Sequence, residues 1–198
     1  MLKQLAEKID KVRQVAGNQL QDILTKCKVL ELPDKSLLEL IFVKPAIEEV
    51  KIINEKTKES LEYIYLPWRN PDYTYNMLIP LIDSKVYRLP LLEGWVVSSG
   101  GITESTLRAS STSLMQFLAQ ADIGKKAGLI EAFIDIMHKN KKTDRVLVPL
   151  ITTIGLMYQG DYLSDKELVK NGIPLFKELA AEMKSNNILK VILSLIFS

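Results

Sequence analysis

A chain of 198 residues, 47% hydrophobic and 25% charged, carries enough apolar side chains for a folded core of one or two domains and does not have the composition of a disordered protein. Lys and Arg number 26 against 24 Asp and Glu, so a net charge of +2 gives no general pull towards nucleic acid or anionic membrane, and any partner must be met by a local feature. With one cysteine, Cys27, and one histidine, His138, the chain has no internal disulfide, no zinc-ligand set and no Cys/His catalytic pair.

The start, Met1 to Val12, is a charged amphipathic pattern rather than a signal peptide, which together with the lone cysteine points to a reducing, cytosolic setting. Leu2, Leu5, Ile9, Val12, Ala16, Leu20, Ile23 and Cys27 recur every three or four residues. They predict one long helix from about Leu2 to Lys28, with Cys27 as a buried packing thiol on its apolar side. Val29 to Pro33 connects it to a short helix, Ser36 to Val43, which Pro45 is expected to halt, so residues 1–45 read as a helical hairpin. Ala46 to Tyr65 mixes β-branched residues with charge and reads either as a helix, the preferred assignment, or as two short strands. Residues 46–70 are therefore assigned as an insertion or linker.

The sequence LPWRNPD, Leu66 to Asp72, marks a break with Asn70 as N-cap and Pro71 at the first helical position of the next element. Tyr73, Met77, Leu78, Leu81 and Ile82 predict a helix with Pro80 inside it, and Val86 to Ser98 predicts the next, with Leu92, Trp95 and Val96 on its apolar stripe. Gly100 and Gly101 suit a tight turn because a glycine can take the left-handed conformation that stops a helix, and Thr103 is the candidate N-cap that follows. Beyond it Leu107, Leu114, Phe117, Leu118 and Ala121 lie at helical spacing beside a serine-rich face expected to be polar.

Further helices are expected from about Lys125 to Lys139 and, capped by Thr143, through Val146, Leu150, Ile154 and Met157 to Gly160, with a bend at Pro149. Ser164 and Glu167 have capping-box spacing and start a short helix ended by Gly172; Pro174 to Lys184 and Ile188 to Phe197 are the last two helices. The last run is too short to span a membrane and contains Lys190. Because the chain stops on an apolar helix, it is expected to be a piece of a longer protein.

Every element with clear periodicity is helical, so the fold class is all-α. Helix starts near Pro71, Thr103, Thr143 and Ile188 are 32, 40 and 45 residues apart, close to the period of HEAT or armadillo arrays. Residues 71–198 are accordingly expected to be HEAT-like repeats of an α-solenoid, with one compact helical bundle as the competing arrangement.

Catalytic signatures are lacking. Gly124, Lys125 and Lys126 have neither the spacing nor the hydroxyl of a phosphate loop, and no G-x-S-x-G surrounds Ser98, Ser99 or Ser110 to Ser113. Glu48 and Glu49 suit solvent better than acid–base work. His138, in the last turn of its helix, fits a dipole-complementing position. Lys139, Lys141, Lys142 and Arg145 form the one local charge feature able to meet an acidic partner, although exposed loops are commonly lysine-rich and a solvated connection is the simpler reading. Trp68 with Tyr63, Tyr65, Tyr73 and Tyr75 is either an interface anchor or a pin that holds the insertion to the rest.

Two stretches, GWVVSSGGITESTLRASSTSLMQFL (Gly94 to Leu118) and DRVLVPLITTIGLMYQGDYL (Asp144 to Leu163), resemble the C-terminal region of tubulin-folding cofactor D. EKIDKVR (Glu7 to Arg13) and KVYRLPLLEGW (Lys85 to Trp95) agree in order and separation, while Ala46 to Asp72 matches poorly. The resemblance implies a cofactor-free, non-catalytic segment of a long HEAT-repeat chaperone. Its implied partners are β-tubulin or the αβ-tubulin heterodimer, other tubulin cofactors and a small Arf-like GTPase whose hydrolysis is stimulated only within the larger assembly. It implies a cytoplasmic setting and association with microtubules or with the centrosome or basal body.

Overall fold

In a computed structural model of the protein, the residues described are 1–162 except 28, 30, 59 and 100–103. Nine helices run through them: α1 (Leu2–Leu5), α2 (Asp10–Lys26), α3 (Lys35–Phe42), α4 (Lys44–Thr57), α5 (Pro71–Asp83), α6 (Arg88–Ser99), α7 (Glu104–Gln120), α8 (Ile123–Lys139) and α9 (Asp144–Gln159). No strand occurs among the described residues, so their class is all-α. Gly100, Gly101, Thr103 and the elements expected beyond Leu163 lie outside the described residues.

The helix starts follow from local chemistry. The Asn70 side chain accepts from the Tyr73 amide at 3.3 Å with Pro71 next in line, and the Asp122 side chain accepts from the Lys125 amide at 2.9 Å, so each satisfies an amide that a helix N-terminus leaves without a partner. Apolar spacing then selects the buried faces. Tyr75, Leu78, Leu81 and Ile82 on α5, and Leu129, Ile130, Phe133, Ile136 and Met137 on α8, are at most 2% exposed.

The innermost helix is α6. Its nine residues from Leu91 to Ser99 are all buried, and it packs against α1, α5, α7, α8 and α9. A helix without a solvent face must satisfy its polar side chains internally, and this one sends each towards a different neighbour. Trp95 Nε1 donates to Ser110 O of α7 at 3.0 Å, Ser98 Oγ donates to Ala6 O at 2.7 Å, and Ser99 Oγ shares a 2.6 Å hydrogen bond with Thr153 Oγ1 of α9. α5 also packs on α7.

Three sequence expectations are corrected. The single helix from Leu2 to Lys28 is two helices, because Ala6 to Ile9 leave the helical path and the freed carbonyls of Ala6 and Glu7 find side-chain donors. Tyr75 Oη donates to Ala6 O at 3.1 Å beside Ser98 Oγ, and Arg13 Nη1 donates to Glu7 O at 2.9 Å. Cys27 is exposed, not packed, since it lies past the last turn of α2. Pro45 halts the short helix as expected: α3 ends at Phe42, and Pro45 sits in the first turn of α4, where its missing N–H costs nothing. The hydroxyl residues of α7 do not form one polar face: Thr106, Ser110 and Ser113 are at most 2% exposed, whereas Ser105 is exposed and Leu107 is 36% exposed. Ser110 Oγ donates back to Thr106 O at 2.7 Å and Ser113 Oγ to Asn76 Oδ1 at 2.8 Å.

The segment 46–70 resolves into the helical alternative up to Thr57, then an extended strap along α2. Side-chain amides of α2 supply what a neighbouring strand would. Gln21 Nε2 donates to Ile64 O at 2.6 Å while its Oε1 accepts from the Leu66 amide at 3.3 Å; Gln14 Nε2 donates to Leu66 O at 3.2 Å and its Oε1 accepts from the Arg69 amide at 3.3 Å. Trp68, fully buried, ends the strap against Gly17, where a Cβ would stand 2.2 Å from the indole Cδ1.

Candidate functional site

The basic cluster occupies the turn between α8 and α9. Asn140 closes α8, its amide donating to Ile136 O and Met137 O at 3.1 Å, and the Thr143 amide donates to Asn140 O at 2.8 Å to set the start of α9. The turn therefore presents Lys139, Lys141, Lys142 and Arg145 together, all exposed.

Half of this charge is engaged within the molecule. Lys139 Nζ forms a short ion pair with Glu93 Oε1, and Lys3 Nζ reaches the other oxygen at 3.3 Å, so one buried α6 carboxylate bridges the end of α8 to α1. Burial pushes the Glu93 carboxyl up, but the ammonium groups of Lys139 and Lys3 outweigh it and hold the group below the usual 4.5. Arg145 Nη2 stands 4.0 Å from Glu7 Oε2. Lys141 and Lys142 make no ion pair among the described residues, and they are the part of the cluster open to a partner. The dependence on Glu93 and Glu7, distant in sequence, had no local signal; only the apolar context of Glu93 between Leu92 and Trp95 marks it as unusual.

The aromatic group splits. Trp68 and Tyr75 are fully buried, Trp68 5.0 Å from Phe42 and Tyr75 5.0 Å from Trp95 between ring centroids, so they pin the strap and α5 to the core. Burial raises the Tyr75 phenol to about 12. Tyr63 and Tyr65 pack edge to face at 5.2 Å on the outside, both hydroxyls donating to Asp22. His138 lies exposed in the last turn of α8 as expected for a dipole-complementing position. Among the described residues, no group of three or more His, Cys, Asp or Glu is placed to hold a metal ion, and no helix is long and apolar enough to cross a membrane.

The family model described as tubulin folding cofactor D C terminal matches residues 1–190. The chain belongs to that family. The match runs through residues 46–72, so in this cofactor D C-terminal segment α4 and its strap are part of the family region even though their motifs read poorly in isolation. No solved structure matches the chain.

Proposed function

We propose that this chain is a chaperone segment of the cofactor D type. It contributes a helical surface to binding of β-tubulin and to assembly or disassembly of the αβ-tubulin heterodimer, in company with other tubulin cofactors and a small Arf-like GTPase. The observation that carries this reading is the family match over residues 1–190. It is a binding role, not a catalytic one, in a cytoplasmic protein that acts at microtubules or at the centrosome or basal body. The packing of α5 on α7 and of α6 on α8 supports a HEAT-like pairing within the segment, whose α6 also holds α1 and α9.

The contact assigned to this segment is the α8–α9 turn, with Lys141 and Lys142 as the exposed cations that meet acidic tubulin surface and Lys139 and Arg145 beside them. Exposed ion pairs contribute only about 0.2–1 kcal/mol each, so binding is micromolar or weaker and falls as salt rises. The experiment is a salt titration of tubulin binding by the wild type and by a Lys141→Ala, Lys142→Ala double variant, which leaves the Lys139–Glu93 pair intact. Severalfold weaker binding of the variant at low salt supports the assignment; equal binding moves the contact elsewhere.

A second reading, a segment that only stiffens a longer scaffold, draws on the internal use of Lys139 and Arg145. Absence of tubulin binding by the intact wild type at any salt concentration favours it.

A further inference from the structure

A second surface is a groove of about 490 Å³ between the N-terminal segment, α2 and the end of the strap. One face of α2 forms its floor: Lys11, Val12, Val15 and Gln19 recur at i, i+1, i+4 and i+8, and Val15 is 54% exposed. Met1, 48% exposed, adds a flexible apolar wall and Arg69 of the strap stands opposite.

The charge of the lining is one-sided. Lys11 and Arg69 are its charged side chains, no carboxylate lines it, and neither side chain forms an ion pair among the described residues. Asp10, next to Lys11 in sequence, is engaged by the buried Arg13 guanidinium at 2.5 Å. The same guanidinium donates to Arg69 O at 2.9 Å while the Arg69 amide donates to Gln14 Oε1, so the backbone that carries the second cation is fixed on both sides. Backbone held in this way adds no ordering cost of its own when the Arg69 side chain meets a carboxylate.

We propose that this groove docks an acidic peptide segment of a partner protein. A single large apolar side chain of that segment seats on Val12 and Val15, and flanking carboxylates meet Lys11 and Arg69. The two parts are complementary in effect: the apolar contact supplies most of the affinity, and the paired cations select against neutral or basic sequences. This goes beyond the tubulin reading and does not depend on it.

The test uses the full chain, immobilised, and a display library of random short peptides as the probe. Expected is enrichment of peptides with Asp or Glu on both sides of a Leu, Ile, Phe or Met. A synthetic copy of the enriched peptide should bind at least tenfold more weakly to a Lys11→Glu, Arg69→Glu variant and to a Val15→Asp variant. All three positions are exposed, and circular dichroism melts matching the wild type establish that the variants are folded; charge reversal at Lys44 and Lys85, exposed cations elsewhere, should leave binding unchanged. Absence of enrichment, enrichment without carboxylates, or equal binding by folded groove variants overturns the proposal. Because no tubulin enters the assay, its outcome is separate from that of the salt titration.

Discussion

Replacing Gly94 by alanine tests the packing of α1 on the innermost helix. In an unobstructed helix this change gains about 1 kcal/mol, because alanine loses less backbone freedom on folding. Here a Cβ would stand 2.1 Å from the Lys3 carbonyl oxygen and 3.0 Å from its carbonyl carbon. Both atoms belong to backbone, so no side-chain rotation relieves the clash, and α1 must withdraw by on the order of 1 Å to restore ordinary contact. Withdrawal disturbs fully buried Leu5, whose burial is worth about 2 kcal/mol. It also stretches the hydrogen bonds from Ser98 and Tyr75 to Ala6 O, worth about 1 kcal/mol each. With the helix gain set against these losses, the expected destabilisation is about 2–3 kcal/mol, or roughly 4–12 °C in melting temperature for a chain of this size. Thermal melts of Gly94→Ala beside Gly124→Ala read it, since a Cβ at Gly124 meets only the Asp122 carboxylate, at 3.3 Å, and should be nearly neutral. If Gly94→Ala melts at or above the wild type, the close approach of α1 to α6 is not a feature of the folded molecule.

Two further outcomes are expected. Because Glu93 titrates below 4.5 when folded, its stabilising contribution is complete above that value and is lost as pH falls through the lowered one. Glu93→Gln should therefore lower the melting temperature at neutral pH yet flatten its decline as pH falls below 4.5, and parallel declines in the two proteins would contradict the Lys3–Glu93–Lys139 bridge. Gln21→Ala should cost about 1–3 kcal/mol by leaving Ile64 O and the Leu66 amide without their partner, and should speed hydrogen exchange at Leu66; unchanged exchange there would mean that the strap is held by Trp68 alone.

Much of the fold was legible where the determinants are local. Asn70 followed by Pro71, the paired apolar positions of α5 and α8, and the passage of α5 and α9 through Pro80 and Pro149 are all written within one or two turns of chain. The division between α1 and α2 was not, because the apolar spacing runs on across Ala6 to Ile9 and the donors that stabilise the break, Tyr75 and Ser98, come from α5 and α6. The strap was hidden for a related reason: glutamines on a helix look like solvent-facing residues, and nothing nearby says that Gln14 and Gln21 hold another segment's backbone. The candidate site was half legible. Its cations are adjacent in sequence, but the carboxylates that engage Lys139 and Arg145 lie 46 residues away in one case and near the start of the chain in the other.

The enclosure of α6 also bears on how the molecule comes apart. In a linear array each repeat touches only its neighbours, so repeats can fray one after another from either end. Here α1, at the beginning, and α9, the last described helix, both close on α6. Removing either bares a face with Glu93, Ser98 or Ser99 on it and takes away that residue's partner in the same step. The two ends of the described chain are thereby coupled through one helix, and loosening at one end is felt at the other as a loss of cooperativity rather than as local fraying.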